Sequence, residues 1–253
     1  MKFHRLLIVS AIVATPAAHA RDVCTAVADA KTGKVLVQQG DCAGRVTPAS
    51  TFKIAISLMG YDAGVLKDEH TPKLPFVKGY VDWRDNWRED TDPTKWMKDS
   101  VVWYSQQLTR SLGMGRFAAY TRQFQFGNAD VTGDAGHDGL TQSWLDSSLK
   151  VSPLEQLAFL GKLVNHQLGV SEHAYAMTAA LTQAGQVPGG WTIHGKTGAA
   201  SGYGWYVGWA SKGAQTTTFA RLIVKDESQP QDVPAGYLAR DALLKDLPAL
   251  LTR

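Results

Sequence analysis

Strand-forming segments sit at both ends of this chain and are missing from its middle, so any sheet it forms must join residues far apart in sequence. Near the front, residues 25–29 and 35–39 alternate apolar and polar side chains, and Ala30-Lys31-Thr32-Gly33-Lys34 between them is a turn signal; together they predict a β-hairpin. Near the end, residues 191–195, 204–210 and 216–224 read as three more strands with short turns. The middle carries helical spacing instead. Residues 154–168 are amphipathic, with Ser152 as N-cap ahead of Pro153 and Glu155, and residues 173–184 repeat the pattern. Pro48 opens another helix, with helical apolar spacing over residues 50–63, and residues 234–251 close the chain with a mostly helical segment. Residues 80–98, rich in Trp, Asp and Arg, match no template. The prediction is an α/β chain of the α+β kind. One antiparallel sheet comes from about residues 21–63 and 187–253, flanked by helices, and a helical subdomain is inserted over about 64–186.

Residues 1–20 read as an export leader. Lys2 and Arg5 precede the apolar run 6–13, and Ala18-His19-Ala20 is a small-x-small cleavage signal, which makes residues 21–253 the mature domain. A membrane anchor is the competing reading, but the run is too short to span a bilayer. The leader holds two of the 26 basic residues and none of the 23 acidic ones, so the mature chain carries 24 against 23, a net of +1. Nothing in that balance argues for nucleic acid. Cys24 and Cys42 both lie in the exported part, where a disulfide would stabilise by roughly 3 kcal/mol; two free thiols are the alternative. The five histidines after the leader show no metal-ligand spacing, and neither His-Glu-x-x-His nor Gly-x-Ser-x-Gly occurs.

Two short motifs each occur twice, and context separates the copies. Ser50-Thr51-Phe52-Lys53 begins a predicted helix, where residues three apart share a face, so Lys53 can serve the hydroxyl of Ser50. Ser147-Ser148-Leu149-Lys150 lies ahead of Pro153 and reads as a loop. Lys31-Thr32-Gly33 is the hairpin turn. Lys196-Thr197-Gly198 ends a predicted strand, where a cation and a hydroxyl can face a substrate carboxylate while glycine lets the backbone approach closely. Between the two chosen copies come Ser100-Val101-Val102, Phe126-Gly127-Asn128 and Trp144.

Penicillin-recognising serine enzymes carry Ser-x-x-Lys, Ser-Asp-Asn and Lys-Thr-Gly in that order. This chain matches the first and last, and has Val102 where that pattern has Asn. With Ser-x-Val, aromatic-Gly-Asn and the tryptophan, the set resembles the class D, oxacillinase-type serine β-lactamases over essentially the whole mature chain, including the segment Ser147-Ser148-Leu149-Lys150-Val151-Ser152-Pro153-Leu154-Glu155-Gln156. Phe126 stands where Tyr is commoner in that family.

The resemblance implies the serine β-lactamase/penicillin-binding transpeptidase fold and hydrolysis of the β-lactam ring. Ser50 would be the acylating nucleophile. Lys53, neutral in a dry pocket, would take up carbon dioxide and become N6-carboxylysine, a carbamate base for acylation and deacylation. Val102 would help keep the pocket dry, and the indole N–H of Trp144 would hydrogen-bond the carbamate. The oxyanion would lie between the backbone N–H groups of Ser50 and Ala199. Ser100 would pass a proton to the lactam nitrogen, Lys196 would favour the anionic transition state, and Thr197 with Gly198 would receive the substrate carboxylate. Arg240 is a further candidate for that carboxylate, against an ordinary solvated helix arginine; Arg221 is the other. Asn128 is either an active-site or a turn residue. Beyond carbon dioxide or bicarbonate no cofactor or metal is implied. The partner is a small β-lactam, and the location is the periplasm with no membrane anchor. Two relatives of the same fold are the rivals: a β-lactam sensor that stays acylated, and a D,D-peptidase, against which Val102 argues.

Overall fold

The computed structural model describes residues 21–227, 229–230 and 232–252; the predicted leader lies outside the described residues. The front of the chain supplies β1 (Arg21–Asp29) and β2 (Val35–Gly40), and the back supplies β3 (Gln183–Val187), β4 (Trp191–Ala200), β5 (Tyr203–Lys212) and β6 (Gln215–Val224). They form one sheet in the order β2-β1-β6-β5-β4-β3, every pair antiparallel. The two ends of the chain meet at the β1–β6 pair, where Val27 lies opposite Phe219 and Thr25 opposite Arg221.

Both faces of the sheet are covered, so β5 and β6 are buried along nearly their whole lengths rather than on alternate residues. Ala26, Trp205, Val207, Ala220 and Leu222 pack in the larger core, on the side of α5 (Pro153–Val164). Val27, Tyr206, Phe219 and Ile223 pack in a second core against α7 (Ala235–Leu250), which presents Ala239, Leu243, Leu247 and Leu250 at helical spacing. A disulfide joins Cys24 on β1 to Cys42 just beyond β2.

Between the two sets of strands the chain is helical. A 3-10 turn, Ala49–Phe52, runs into α1 (Lys53–Asp62), followed by α2 (Pro93–Asp99), α3 (Val102–Gln123), α4 (Gly139–Asp146), α5 and α6 (Glu172–Thr182). Every residue of α1 from Lys53 to Tyr61 is buried, which makes it the central helix of this part, with α3 and α6 against it. Among the described residues no helix is long and apolar enough to cross a membrane.

Four elements differ from the sequence reading. The helix predicted over 173–184 stops at Thr182, and Gln183–Val187 turns into β3, a sixth strand. β4 does not stop at Gly195 but runs on to Ala200, carrying Lys196-Thr197-Gly198 inside it. Helix α5 ends at Val164, short of Leu168. The unread stretch 80–98 contains a 3-10 turn, Asp85–Trp87, and α2, which Asp92 caps by accepting from the Lys95 N–H with Pro93 at the first turn.

Candidate active site

Ser50 lies in the 3-10 turn and Lys53 opens α1, so the two side chains meet: Lys53 Nζ donates to Ser50 Oγ at 3.3 Å. Several contacts hold the turn. Ala49, its first residue, adopts φ +49°, a left-handed conformation uncommon without glycine. Thr51 Oγ1 donates to Pro48 O at 2.7 Å and accepts from Gln156 Nε2 of α5 at 2.9 Å. β4 presses against the same turn: a Cβ on Gly198 would lie 2.9 Å from Pro48 O and 3.0 Å from Thr51 Cγ2, so glycine is the residue that lets strand and turn touch.

Lys53 has no exposed surface. Burial drives its pKa well below 10.5, and the positive charges of Lys196 and Arg84 push the same way. Lys196, on β4 and almost fully buried, donates to Ser100 Oγ at 3.0 Å and to Thr197 O at 3.0 Å. Burial, helped by Arg84, brings its pKa down to about 7. Ser100 joins α2 to α3 in a left-handed conformation, φ 61° and ψ 35°. A non-glycine residue held there stores of order 1 kcal/mol of strain, a feature that clusters at functional sites.

Ser50, Ser100, Val102, Thr197, Gly198 and Ala199 line one cavity of about 250 Å³. Trp144 is fully buried with its ring against Phe52 and Phe117, at 6.0 and 5.9 Å, and its indole N–H has no hydrogen-bond partner among the described residues. An orphaned buried donor costs roughly 1–3 kcal/mol. It marks a place for an acceptor.

The remaining candidates fall elsewhere. Phe126-Gly127-Asn128 is fully engaged in holding the fold. Phe126 packs on Phe52 at 4.8 Å, a Cβ on Gly127 would overlap Lys150 O, and Asn128 donates to Ser148 O and accepts from the Lys150 N–H. Together they fix the loop that holds the second Ser-x-x-Lys; there Ser147 and Ser148 are spent on the backbone of Asp134, Gly133 and Asp130. Lys31-Thr32-Gly33 is in the turn between β1 and β2. Arg221 is buried and its guanidinium pairs with Asp246 of α7 at 2.7 Å, on the far face of the sheet. Arg240 pairs with Asp241 at 2.8 Å, lies over the Tyr237 ring, and lines a neighbouring cavity that shares Thr197, not the Ser50 cavity.

Two parts of the site were not read from the sequence. Gln156 braces the Ser50 turn, although it lay inside a segment quoted only for its resemblance. Trp83, Arg84 and Trp87, from the stretch that matched no template, form a wall of the Ser50 cavity. The signal available was an arginine between two tryptophans.

The penicillin-binding protein transpeptidase domain model matches residues 23–247. Beta-lactamase OXA-9 of Klebsiella pneumoniae is 42% identical over 268 residues, covering 98% of this chain and 96% of that one. Beta-lactamase OXA-1 of Escherichia coli is 39% identical over 194 residues, covering 74% and 68%. The crystal structure of OXA-427 class D β-lactamase superposes with a TM-score of 0.85 at 45% identity, over 90% of this chain and 98% of that one. The chain belongs to the penicillin-binding transpeptidase family and, within it, to the class D serine β-lactamases.

Proposed function

We propose that residues 21–253 form one β-lactamase domain that opens the ring of penicillin-type antibiotics through a Ser50 acyl-enzyme, and so confers resistance to them. The supporting observation is a serine hydroxyl hydrogen-bonded to a lysine whose burial favours its uncharged form. A free serine is a poor nucleophile and needs such a neighbour.

In acylation Ser50 Oγ bonds to the lactam carbonyl carbon and its proton leaves toward Lys53. The backbone N–H groups of Ser50 and Ala199 receive the oxyanion, one such donor being typically worth about 10²–10³-fold. The C–N bond breaks as Ser100 Oγ gives its proton to the lactam nitrogen and is reprotonated through Lys196 Nζ, so that in net the proton taken from Ser50 ends on that nitrogen. Thr197 holds the substrate carboxylate. Water then cleaves the ester and restores Ser50.

The surroundings of Lys53 suit a carbon dioxide adduct. Only a neutral amine reacts with carbon dioxide, and the unpartnered N–H of Trp144 suits an anionic oxygen, since indole is a donor only. When formed, the carbamate supplies an anionic oxygen base next to Ser50. Val102 keeps water from the amine. Export to the periplasm, by the leader read in residues 1–20, puts the enzyme where it meets its substrate.

Rapid mixing with benzylpenicillin followed by intact-protein mass spectrometry tests the reading. A transient acyl adduct that decays with repeated turnover is expected for wild type, and no adduct for Ser50→Ala. An adduct that forms once and persists would make the chain a sensor or transpeptidase relative instead.

A further inference from the structure

We propose that Arg84 binds the ring carboxylate of the β-lactam, across the cavity from Ser50. This rests on β-lactam hydrolysis at Ser50 and adds a specificity residue to it. Two other cations of the stretch carrying Arg84 are paired with nearby carboxylates. Arg88 is bonded to Asp82 and Asp85, and Lys95 to Glu89 and Asp99. Arg84 pairs with no carboxylate among the described residues. Its guanidinium instead donates to Tyr237 Oη at 3.0 Å and lies near the rings of Trp87 and Tyr237, at 5.8 and 5.6 Å. A planar cation steadied by a hydroxyl and two aromatic faces keeps donors free for a planar anion.

Its position is fixed before any ligand arrives. Trp87 Nε1 donates to Asp99 O at 3.0 Å, next to Ser100, and Trp103 Nε1 donates to Trp87 O at 2.8 Å. Tyr237 belongs to the first turn of α7, and that turn is seated on the Thr197 segment: a Cβ on Gly236 would lie 2.5 Å from Gly198 O and 3.2 Å from Thr197 Cβ. Arg84 therefore reaches the Thr197 side of the cavity from the opposite wall. Its charge is also felt at Lys196 and Lys53. An anion at Arg84 relieves that repulsion. The α7 turn itself presents only Gly236 and Tyr237 to the cavity, with no cation, and Arg240 lines the space beyond.

The test compares benzylpenicillin with its methyl ester, in which the ring carboxylate is masked. Arg84→Ala and Arg84→Gln are expected to lower kcat/KM for the free acid roughly 10- to 100-fold, mostly through KM, and to change that for the ester at least about five-fold less, the ester reporting whatever the lost charge does at Lys53 and Lys196. Arg84→Lys should recover part of the loss, and the ionic-strength dependence of kcat/KM should flatten in the neutral variants. Equal losses on acid and ester would assign Arg84 a structural role in the loop and overturn the proposal. So would a loss seen only with a penicillin bearing a second, side-chain carboxylate, or acid-selective loss in Arg240→Ala with none in Arg84→Ala. The wild-type rate on the free acid tests hydrolysis itself, so the two failures are distinguishable.

Discussion

Lys53 and Lys196 are both buried, both near Arg84, and neither is paired with a carboxylate among the described residues. Burial first, and the neighbouring positive charge second, lower the pKa of both lysines. For Lys196 the folded pKa is about 7 against 10.5 in the free side chain. Between those values the unfolded chain binds more protons than the folded one, so stability rises with pH through that window, and below about pH 7 the full burial cost is present. Lys196→Met is therefore expected to melt at least about 2 °C above wild type at pH 6 and to lose that lead by pH 10, as read by thermal unfolding across pH. A constant difference would contradict the burial argument. At the same scale, Lys53→Ala is expected to abolish turnover. Trp144→Phe, which removes only the indole N–H, should leave acylation within a few-fold and slow deacylation about 10²-fold or more in stopped-flow measurements. Wild-type deacylation in either variant would remove the base assigned at Lys53.

At the scale of elements, the site depends on how closely the Ser50 turn, β4 and α5 approach. Gly198→Ala places a methyl against Pro48 O and Thr51, so it should separate strand and turn, with a cost of about 1–3 kcal/mol and a fall in acylation rate larger than any fall in stability accounts for. Ser152 caps α5 in a reciprocal box with Glu155, and Ser152→Ala should cost about 1 kcal/mol in urea unfolding while leaving kcat near wild type. These elements were unequally legible in the sequence. The Ser152 cap announced α5, and Ser50 with Lys53 could be placed because helical spacing brings i and i+3 together. β3 was hidden because Gln183–Val187 is an exposed edge strand whose partner is β4 alone, so its side chains carry no alternation. The extension of β4 was hidden for a different reason: Thr, Gly and Ala give no apolar period, and the strand is held there by pairing with β5. Arg84 could not be placed because its loop owes its shape to tryptophan hydrogen bonds made to distant backbone, which local sequence does not encode.

At the scale of the molecule, the sheet built from both chain ends is what brings residues 50, 100 and 196 to one cavity. Its seam is the β1–β6 pair, and the Cys24–Cys42 bridge ties β1 to the segment that leads to Ser50. Replacing both cysteines by serine should cost about 3 kcal/mol in denaturant unfolding under oxidising conditions and leave the chemistry near wild type, because the bridge limits the unfolded chain and does not touch the cavity. The architecture from both ends was visible in the strand pattern, and the order of motifs along the chain pointed to the family. What brings the motifs into one site is the packing of α1, α3 and β4, which emerges only in the folded chain. The proposed hydrolysis rests on a Ser50 acyl-enzyme released by a base formed at Lys53. It is tested most directly by steady-state hydrolysis of a chromogenic β-lactam in carbon-dioxide-free buffer and with added bicarbonate. Turnover that rises saturably with bicarbonate in wild type, and not in Lys53→Ala, is the expected result; turnover at full rate without bicarbonate and unchanged by its addition would contradict it.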